Sequence, residues 1–471
     1  MTEPVTAESL TAHLPPARPM DLVELSERVA RGLRMVVLDD DPTGTQSIKD
    51  LPILTAWSPA DLQWAFAQDT PAFFILTNSR SLGPDAAAAL NREILRAIAE
   101  VAGAAQIEYV IASRSDSTLR GHFPLETDVI TDELARSRIL IDGVLIVPAY
   151  LEPGRITINS RHWARTTGGM IPVGESEFAK DSSFGYTSSD LRAWVSEKTL
   201  GAIAVEAVAA ITIGDIRLGG PDRVREILAS LHDAQPVVID AVIDDDLRVV
   251  AAAVVAAESA GQRFVYRTGP SFVRARAAQE ASAPIRAQTT TTTGAGGGLI
   301  IVGSHVGQTS RQLGKLHAAN VLTELSIDVR TVLDAARRDE HIAQVARRAI
   351  DALGERDVVI ATSRELITGS DQQDNLRIAR TVSAALVAVV QAIIAETRPR
   401  FVIAKGGITS SDIATGALGI RRAWARGTLL PGIISLWEPA EGPAAGVPFI
   451  VFAGNVGDDD ALVTVVDALK R

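Results

Sequence analysis

An acidic turn near one end of the chain and a glycine-rich turn near the other carry residue types suited to phosphate chemistry. The apolar run Met35–Leu38 breaks into Asp39-Asp40-Asp41-Pro42-Thr43-Gly44, and Phe401–Ala404 breaks into Lys405-Gly406-Gly407-Ile408-Thr409-Ser410-Ser411-Asp412. Each reads as a buried strand ending in a polar turn. Asp40 and Asp41 crowd negative charge, and their repulsion raises one pKa unless a cation is present. That suits a general base or a magnesium-linked carboxylate. Helix capping is the plainer alternative, but three consecutive acids before Pro-Thr-Gly exceed what a cap requires. Lys405 either meets a phosphate or ends its strand as a solvated charge; both readings stay open.

A second cluster packs Arg114, Ser115, Asp116, Ser117, Thr118, Arg120, Gly121 and His122 into one short stretch after an apolar run. Arginine forks suit a carboxylate, hydroxyls suit sugar oxygens, and Asp116 can accept a hydroxyl proton. Arg80 offers a further carboxylate clamp. Arg155 and His162 follow in irregular text, where His162 reads as a satisfied surface histidine. Gly303-Ser304, Gly406-Gly407 and Gly454-Asn455 each follow an apolar run and precede a helical pattern. Glycines there let amides approach an anion, although glycine also occurs in such turns for steric reasons alone. Three of them in one half of the chain favour a nucleotide.

The elements that must position these turns follow from periodicity. Strands are expected at Met35–Leu38, Phe73–Leu76, Tyr109–Ala112, Val144–Val147, Val237–Asp240 and Phe264–Arg267, with a helix over Pro84–Ala102. Short apolar strands alternating with helix-length segments predict a mostly parallel sheet flanked by helices. Between Gly154 and Ser189 the sequence shows little periodicity, which predicts a long functional loop or an insertion over the site. Residues 288–298, rich in threonine and glycine, predict a linker between domains 1–287 and 299–471. Beyond it Leu299–Val302, Asp357–Ala361, Phe401–Ala404 and Phe449–Phe452 repeat the pattern. The fold class is therefore α/β, two domains with the active site in the cleft between them.

Composition narrows the function. The 471 residues suffice for two cores, and the formal charge of −11 gives no basic stripe for nucleic acid. No cysteine occurs, so thiolate metal sites and cysteine nucleophiles are excluded. The N-terminus lacks a basic, then apolar, secretory pattern, and no uncharged apolar stretch is read as reaching the roughly 20 residues of a membrane span. A soluble cytoplasmic protein without membrane or nucleic-acid partners is expected, and a homodimer is left open.

Asp39-Asp40-Asp41-Pro42-Thr43 also fits the nucleophile motif of haloacid-dehalogenase-type phosphatases, with Asp39 as nucleophile and Asp41 as acid/base. On that reading the matching lysine and last acids would lie beyond the linker. A non-catalytic sugar-acid sensor is the third reading. Taken together, however, the turns resemble the four-carbon acid sugar kinase family from about Met35 to the C-terminus. The carriers are Asp40-Asp41-Pro42-Thr43-Gly44, Thr77-Asn78-Ser79-Arg80, Ser115-Asp116-Ser117-Thr118-Leu119-Arg120-Gly121, Pro148-Ala149-Tyr150 with Gly154-Arg155, Gly303-Ser304, Gly406-Gly407-Ile408-Thr409-Ser410 and Gly454-Asn455. The resemblance implies an acid-sugar domain followed by an ATP domain, with Mg²⁺-dependent transfer to a hydroxyl of a small four-carbon or branched sugar acid or oxo acid. On the reading of the residues given above, Asp116, Asp41 and Asp40 are the catalytic candidates. Thr43, Gly44, Asn78, Ser79, Arg80, Ser115, Ser117, Thr118, Arg120, Gly121 and Arg155 would meet the substrate. Ser304, Lys405, Gly406, Gly407, Thr409, Ser410, Gly454 and Asn455 would meet ATP. The chain departs from many members at Ile408, at Arg114 or Ser115, over Arg155–Trp163 and over Glu175–Tyr186, which leaves the substrate open.

Overall fold

The computed structural model describes every residue except 1–2, 42, 282–283, 286–295, 304–306, 364–366, 368–371, 431–432, 455 and 471, and the side chains of 372–373, 375–376 and 408. Two compact units divide the chain, Met1–Ala281 and Ser282–Arg471. Most of the expected linker, together with Ser304 and Asn455, lies outside the described residues.

In the first unit the strands are β1 (Arg34–Asp39), β2 (Leu51–Leu54), β3 (Ala72–Leu76), β4 (Tyr109–Arg114), β5 (Gly143–Val147), β6 (Arg155–Ile158), β7 (Arg161–Thr166), β8 (Gly169–Pro172), β9 (Ala209–Ile211), β10 (Gln235–Ile239) and β11 (Phe264–Thr268). The main sheet runs β2-β3-β1-β4-β11-β5-β10-β9, and every pairing in it is parallel. Its central strands are near-continuous runs of Val, Ile, Leu and Phe because helices cover both faces. Pro84 opens the long helix Pro84–Ala105 in its first turn, where proline costs no hydrogen bond, and the alanines carry it onward. The sheet order reverses at β1. From there the chain moves to β2 and β3 on one side and to β4 on the other, which makes the carboxyl ends of β3, β1 and β4 the topological switch point.

Residues 154–189 are not the irregular loop expected from their composition. They form an antiparallel sheet, β6-β7-β8, followed by two 3₁₀ turns, Val173–Glu175 and Glu177–Lys180. Ile156, Ile158 and Met170 supply one apolar face, covered by Val5, Ala7, Leu10 and Leu14 of the N-terminal segment. The strands were hard to read because Arg161 and Arg165 share the face of those apolar residues, while Thr157, His162 and Thr166 lie on the other.

The second unit contains β12 (Leu299–Val302), β13 (Leu322–Ile327), β14 (Asp357–Thr362), β15 (Val402–Lys405), β16 (Arg422–Leu430), β17 (Ile434–Pro439) and β18 (Phe449–Phe452). Their order is β13-β14-β12-β15-β18-β17-β16. Pairing is parallel as far as β18 and antiparallel beyond it. The switch point here lies between β12 and β15. Among the described residues one helix, Arg377–Glu396, is long and apolar enough to cross a membrane by length and composition, although it includes Arg377, Arg380 and Glu396. Its residues Leu386, Val389, Val390 and Ile393 are buried within the unit, as in the core helix of a globular fold.

Candidate active site

At the switch point of the first unit, register aligns the strand ends. Asp39 pairs with Leu76 and Arg114, and Thr268 pairs with Arg114 and Val147. The acidic turn, Thr77–Arg80 and Ser113–His122 therefore meet at one edge. Arg80 clamps Asp40 through both Nε (3.0 Å) and Nη2 (2.5 Å), and its Nη1 reaches Asp41 at 3.2 Å. Arg114 Nη1 lies 3.0 Å from Asp39, and Arg120 Nε donates to Asp116 at 2.7 Å. Thr118 also donates to Asp116, while Thr43 donates to Asp41 through both its amide (2.8 Å) and its hydroxyl (2.5 Å). Asp41 is thus not an idle helix cap. It belongs to a mutually neutralised lattice of carboxylates and guanidinium groups.

This lattice sets the protonation states. Burial pushes the Asp39 carboxyl up to about 7, because Arg114 only partly offsets the desolvation and Asp40 and Asp41 add repulsion. Burial also pushes Asp116 up, but Arg80, Arg120 and Thr118 outweigh it and hold the group well below the usual carboxylate range. Asp41 is likewise lowered, since Arg80, Arg114 and Thr43 outweigh burial.

Two glycines are explained by contact. A Cβ on Gly44 would sit 1.7 Å from Asp39 Oδ2. Gly121 has φ +118°, and a Cβ there would lie 3.3 Å from Asp40 Oδ2 and 3.8 Å from Arg267 Nη2. Asn78 holds the left-handed conformation at φ +52° at the head of the Ser79–Ser81 turn, and Ser79 donates to Glu126 at 2.6 Å. Ser115 Oγ and Arg155 Nε are buried with no hydrogen-bond partner, and among the described residues no carboxylate lies within 4 Å of Arg155. Buried polar groups of this kind call for a partner. Among the described residues the Arg155 guanidinium otherwise donates to the carbonyls of Pro153 and Arg165. Ser117 contributes its carbonyl to His162 Nε2 at 2.8 Å.

His162 is satisfied, as expected, but it is fully buried rather than on the surface. Thr157 holds its other nitrogen at 2.9 Å, and burial lowers its pKa to about 4, so it is neutral and structural. Sequence reasoning missed two residues. Arg267, 2% exposed at the end of β11, lies over the rings of Phe123 and Trp194, and burial lowers it to about 10. Glu126 is buried beside Ser79, and burial plus the Asp40 charge raise its pKa. Arg267 left one signal, a charged residue at the close of an otherwise apolar strand. Glu126 left none, because acids are common in the first turn of a helix.

In the second unit, Lys405 pairs in register with Val302 of β12 and Phe452 of β18, so the turns after all three strands are neighbours. A Cβ on Gly303 would sit 2.3 Å from Thr409 Oγ1, which ties the first turn to the second. Gly406 has φ +125°, and a Cβ on Gly407 would meet nothing within 4 Å. Gly407 therefore borders open space rather than a steric obstacle. Ser410 is turned inward, with its hydroxyl 2.8 Å from the Ala404 carbonyl and 2.7 Å from that of Gly406. The Gly454 carbonyl accepts from Thr309 at 3.0 Å.

Lys405 is 0% exposed, which removes the solvated-charge reading. Its Nζ donates to the Ala453 carbonyl at 3.1 Å and lies 3.7 Å from the Phe452 ring centre. Burial lowers its pKa to about 7, and no carboxylate among the described residues pairs with it. A buried cation with no anion beside it among the described residues is costly, a cost that a bound anion would relieve.

The phosphatase alternative requires an accessible Asp39. That carboxylate is 2% exposed, covered by Gly44 and paired with Arg114. Its matching lysine, Lys405, belongs to the other unit.

Comparison with known proteins agrees with this division. Residues 35–276 match the model of a sugar-binding N-terminal domain, and residues 299–462 match that of a nucleotide-binding C-terminal domain. A D-erythronate kinase of Heliobacterium modesticaldum is 24% identical over 416 residues, covering 84% of this chain and 86% of its own. Two solved structures share the fold. One is a Salmonella typhimurium LT2 protein, with 17% identity, TM-score 0.66, and 92% and 98% of the two chains covered. The other is a Haemophilus influenzae protein from a family catalogued as a domain of unknown function, with 19% identity, TM-score 0.63, and 91% and 98% covered. With a sugar-binding half and a nucleotide-binding half each matched along nearly its whole length, the chain belongs to the four-carbon acid sugar kinase family.

Proposed function

We propose that the protein transfers the γ-phosphoryl group of ATP to a hydroxyl of a four-carbon or branched sugar acid or oxo sugar acid. The observation that carries this reading is the separation of chemistries. One switch point holds guanidinium groups, hydroxyls and carboxylates; the other holds open glycine backbone and a buried lysine with no anion beside it among the described residues. Lys405, Gly406, Gly407, Thr409 and Gly454 would hold the nucleotide phosphates, with Ser410 bracing the turn. Around the acceptor, Ser115, Ser117, Thr118, Asn78 and Ser79 line the polar edge, while Thr43, Gly44 and Gly121 keep Asp39, Asp40 and Asp41 in place.

Arg120 and Arg155 take the substrate carboxylate in this reading. Arg80 is already engaged on both oxygens of Asp40, so it serves chiefly to hold the acidic turn. Asp116 accepts the hydroxyl proton. In the free protein it is too acidic to do so well, and its proton affinity rises when the substrate carboxylate shares Arg120 and weakens its hold on Asp116. Mg²⁺ ordinarily accompanies nucleotide phosphates and screens their charge. No cluster of acids for a dedicated ion forms among the described residues, Asp40 and Asp41 being engaged by Arg80.

A coupled ADP-release assay over a panel of tetronates, oxo-tetronates and branched oxo acids tests the reading. Turnover of at least one acid is the expected result. Phosphate release from sugar phosphates without ATP would return the phosphatase reading, and calorimetric binding without turnover would indicate a sensor.

A further inference from the structure

The short segment after β8 has no role in the account above, yet four of its side chains reach the turn that carries Asp116 and Arg120. Tyr186 donates its hydroxyl to the Thr118 carbonyl at 2.6 Å, and Phe184 stands edge-on to His122 with centroids 5.0 Å apart. These two fasten the segment. The other two address charge. The Phe178 ring lies 5.1 Å from the Arg120 guanidinium and 5.6 Å from that of Arg155, so two like charges share one ring. Asp181 Oδ2 lies 3.7 Å from Arg120 Nη1. Its other oxygen is fixed by the amides of Ser183 (2.9 Å) and Phe184 (3.0 Å), so this carboxylate is aimed rather than free to wander.

Arg120 is thereby divided. Its Nε is committed to Asp116 at 2.7 Å, while its Nη1 is held only loosely by Asp181, with both side chains of the latter pair still part-exposed. We propose that Phe178 and Asp181 determine which substrates the site accepts. Phe178 sets Arg120 and Arg155 side by side, and Asp181 stands in for the substrate carboxylate on Arg120 until an acid replaces it. The inference rests on the kinase reading above. An incoming carboxylate exchanges one anion for another and leaves the arginines paired. A neutral polyol that displaced Asp181 would leave Arg120 Nη1 with no anion in its place, so it is disfavoured. Two guanidinium groups on one ring repel each other unless an anion lies between them, which gives the acid a further advantage over a neutral sugar.

The test compares acid and ATP kinetics in the full-length protein. Asp181→Asn keeps an oxygen for the Ser183 and Phe184 amides but removes the competing charge. The KM for the acid is expected to fall about two- to fivefold, as suits a screened, part-exposed pair, with the ATP KM unmoved. Phe178→Ala is expected to raise the acid KM about three- to tenfold, and Phe178→Tyr to restore it. An acid KM that is unchanged or raised in Asp181→Asn overturns the proposal. So does a Phe178→Ala defect shared equally between acid and ATP, which would mean general loosening. Wild-type turnover of an acid combined with a flat Asp181→Asn response sinks this proposal alone. Absence of any acid turnover in the wild type sinks the kinase reading and this proposal with it.

Discussion

Asp116→Asn separates proton transfer from binding. In the free protein the Asp116 carboxylate accepts from Arg120 at 2.7 Å and from Thr118, with Arg80 adding a second field. Asparagine preserves size and one acceptor oxygen but cannot take a proton. Loss of a positioned base costs roughly 10²–10⁴ in kcat. The same change frees Arg120. A charge-assisted hydrogen bond contributes about 1.5–3 kcal/mol. Here the side chains are 28% and 14% exposed, so screening reduces the pair to about 1 kcal/mol. An arginine released by that amount binds the acid up to about fivefold more tightly. The variant is therefore expected to lose kcat while its acid KM stays level or falls, a combination that misfolding does not produce. Steady-state ADP release at saturating ATP gives kcat and KM, and calorimetry with the acid gives binding directly. A kcat near that of the wild type would refute the assignment and move the base to Asp41 or Asp40.

Three further outcomes follow from other parts of the fold. Lys405 titrates near 7 when folded and near 10.4 when unfolded, so the unfolded chain binds the extra proton between those values and stability rises with pH across that window. Melting curves from pH 7 to 10 should show wild type gaining on Lys405→Met by on the order of a few kcal/mol, and the variant should also bind ATP more weakly; parallel pH profiles would contradict the buried ammonium. Glu258 accepts from Arg276 at 2.5 Å and from the Tyr266 hydroxyl, and both members of the ion pair are almost wholly buried. Glu258→Gln should cost about 3–5 kcal/mol in urea unfolding because it strands a buried guanidinium. Gly44→Ala should cost about 1–3 kcal/mol from crowding against Asp39 and impair turnover, and unchanged melting and kinetics would show that the acidic turn is not packed as described.

Much of the framework was legible because parallel strands buried on both faces carry unmistakable runs, such as Met35–Leu38 and Phe401–Ala404, and because polar clusters at their ends mark the carboxyl edge. The β6-β7-β8 sheet was not legible. Its apolar face is completed by Val5, Leu10 and Leu14, which are far away in sequence, so no local window shows what covers it. Charge pairing was illegible for a similar reason. Arg80 and Arg120 look alike beside polar strand ends, yet one is chelated by Asp40 and the other is shared between Asp116 and Asp181. Only the fold decides which arginine is spoken for. The same holds for Lys405, which opens a polar turn in the sequence although its ammonium lies under Phe452.

The paired state of the first site also explains how an acidic protein can bind an anion. A bare cluster of buried guanidinium groups would pay a desolvation cost of several kcal/mol per charge before any ligand arrived. Pairing Arg80 with Asp40, Arg114 with Asp39 and Arg120 with Asp116 removes most of that cost in the empty protein. The consequence is that affinity for a sugar acid cannot come from the charge of these three arginines alone, since each must leave one carboxylate to meet another. Discrimination then rests on the groups that have no such partner, Ser115 Oγ and Arg155 Nε, and on the weakest of the existing pairs, Arg120 with Asp181. A ligand gains most where it satisfies the first two and replaces the third. On the kinase reading proposed above, hydroxyls placed next to a carboxylate, rather than a carboxylate by itself, are therefore the chemical signature expected of the substrate.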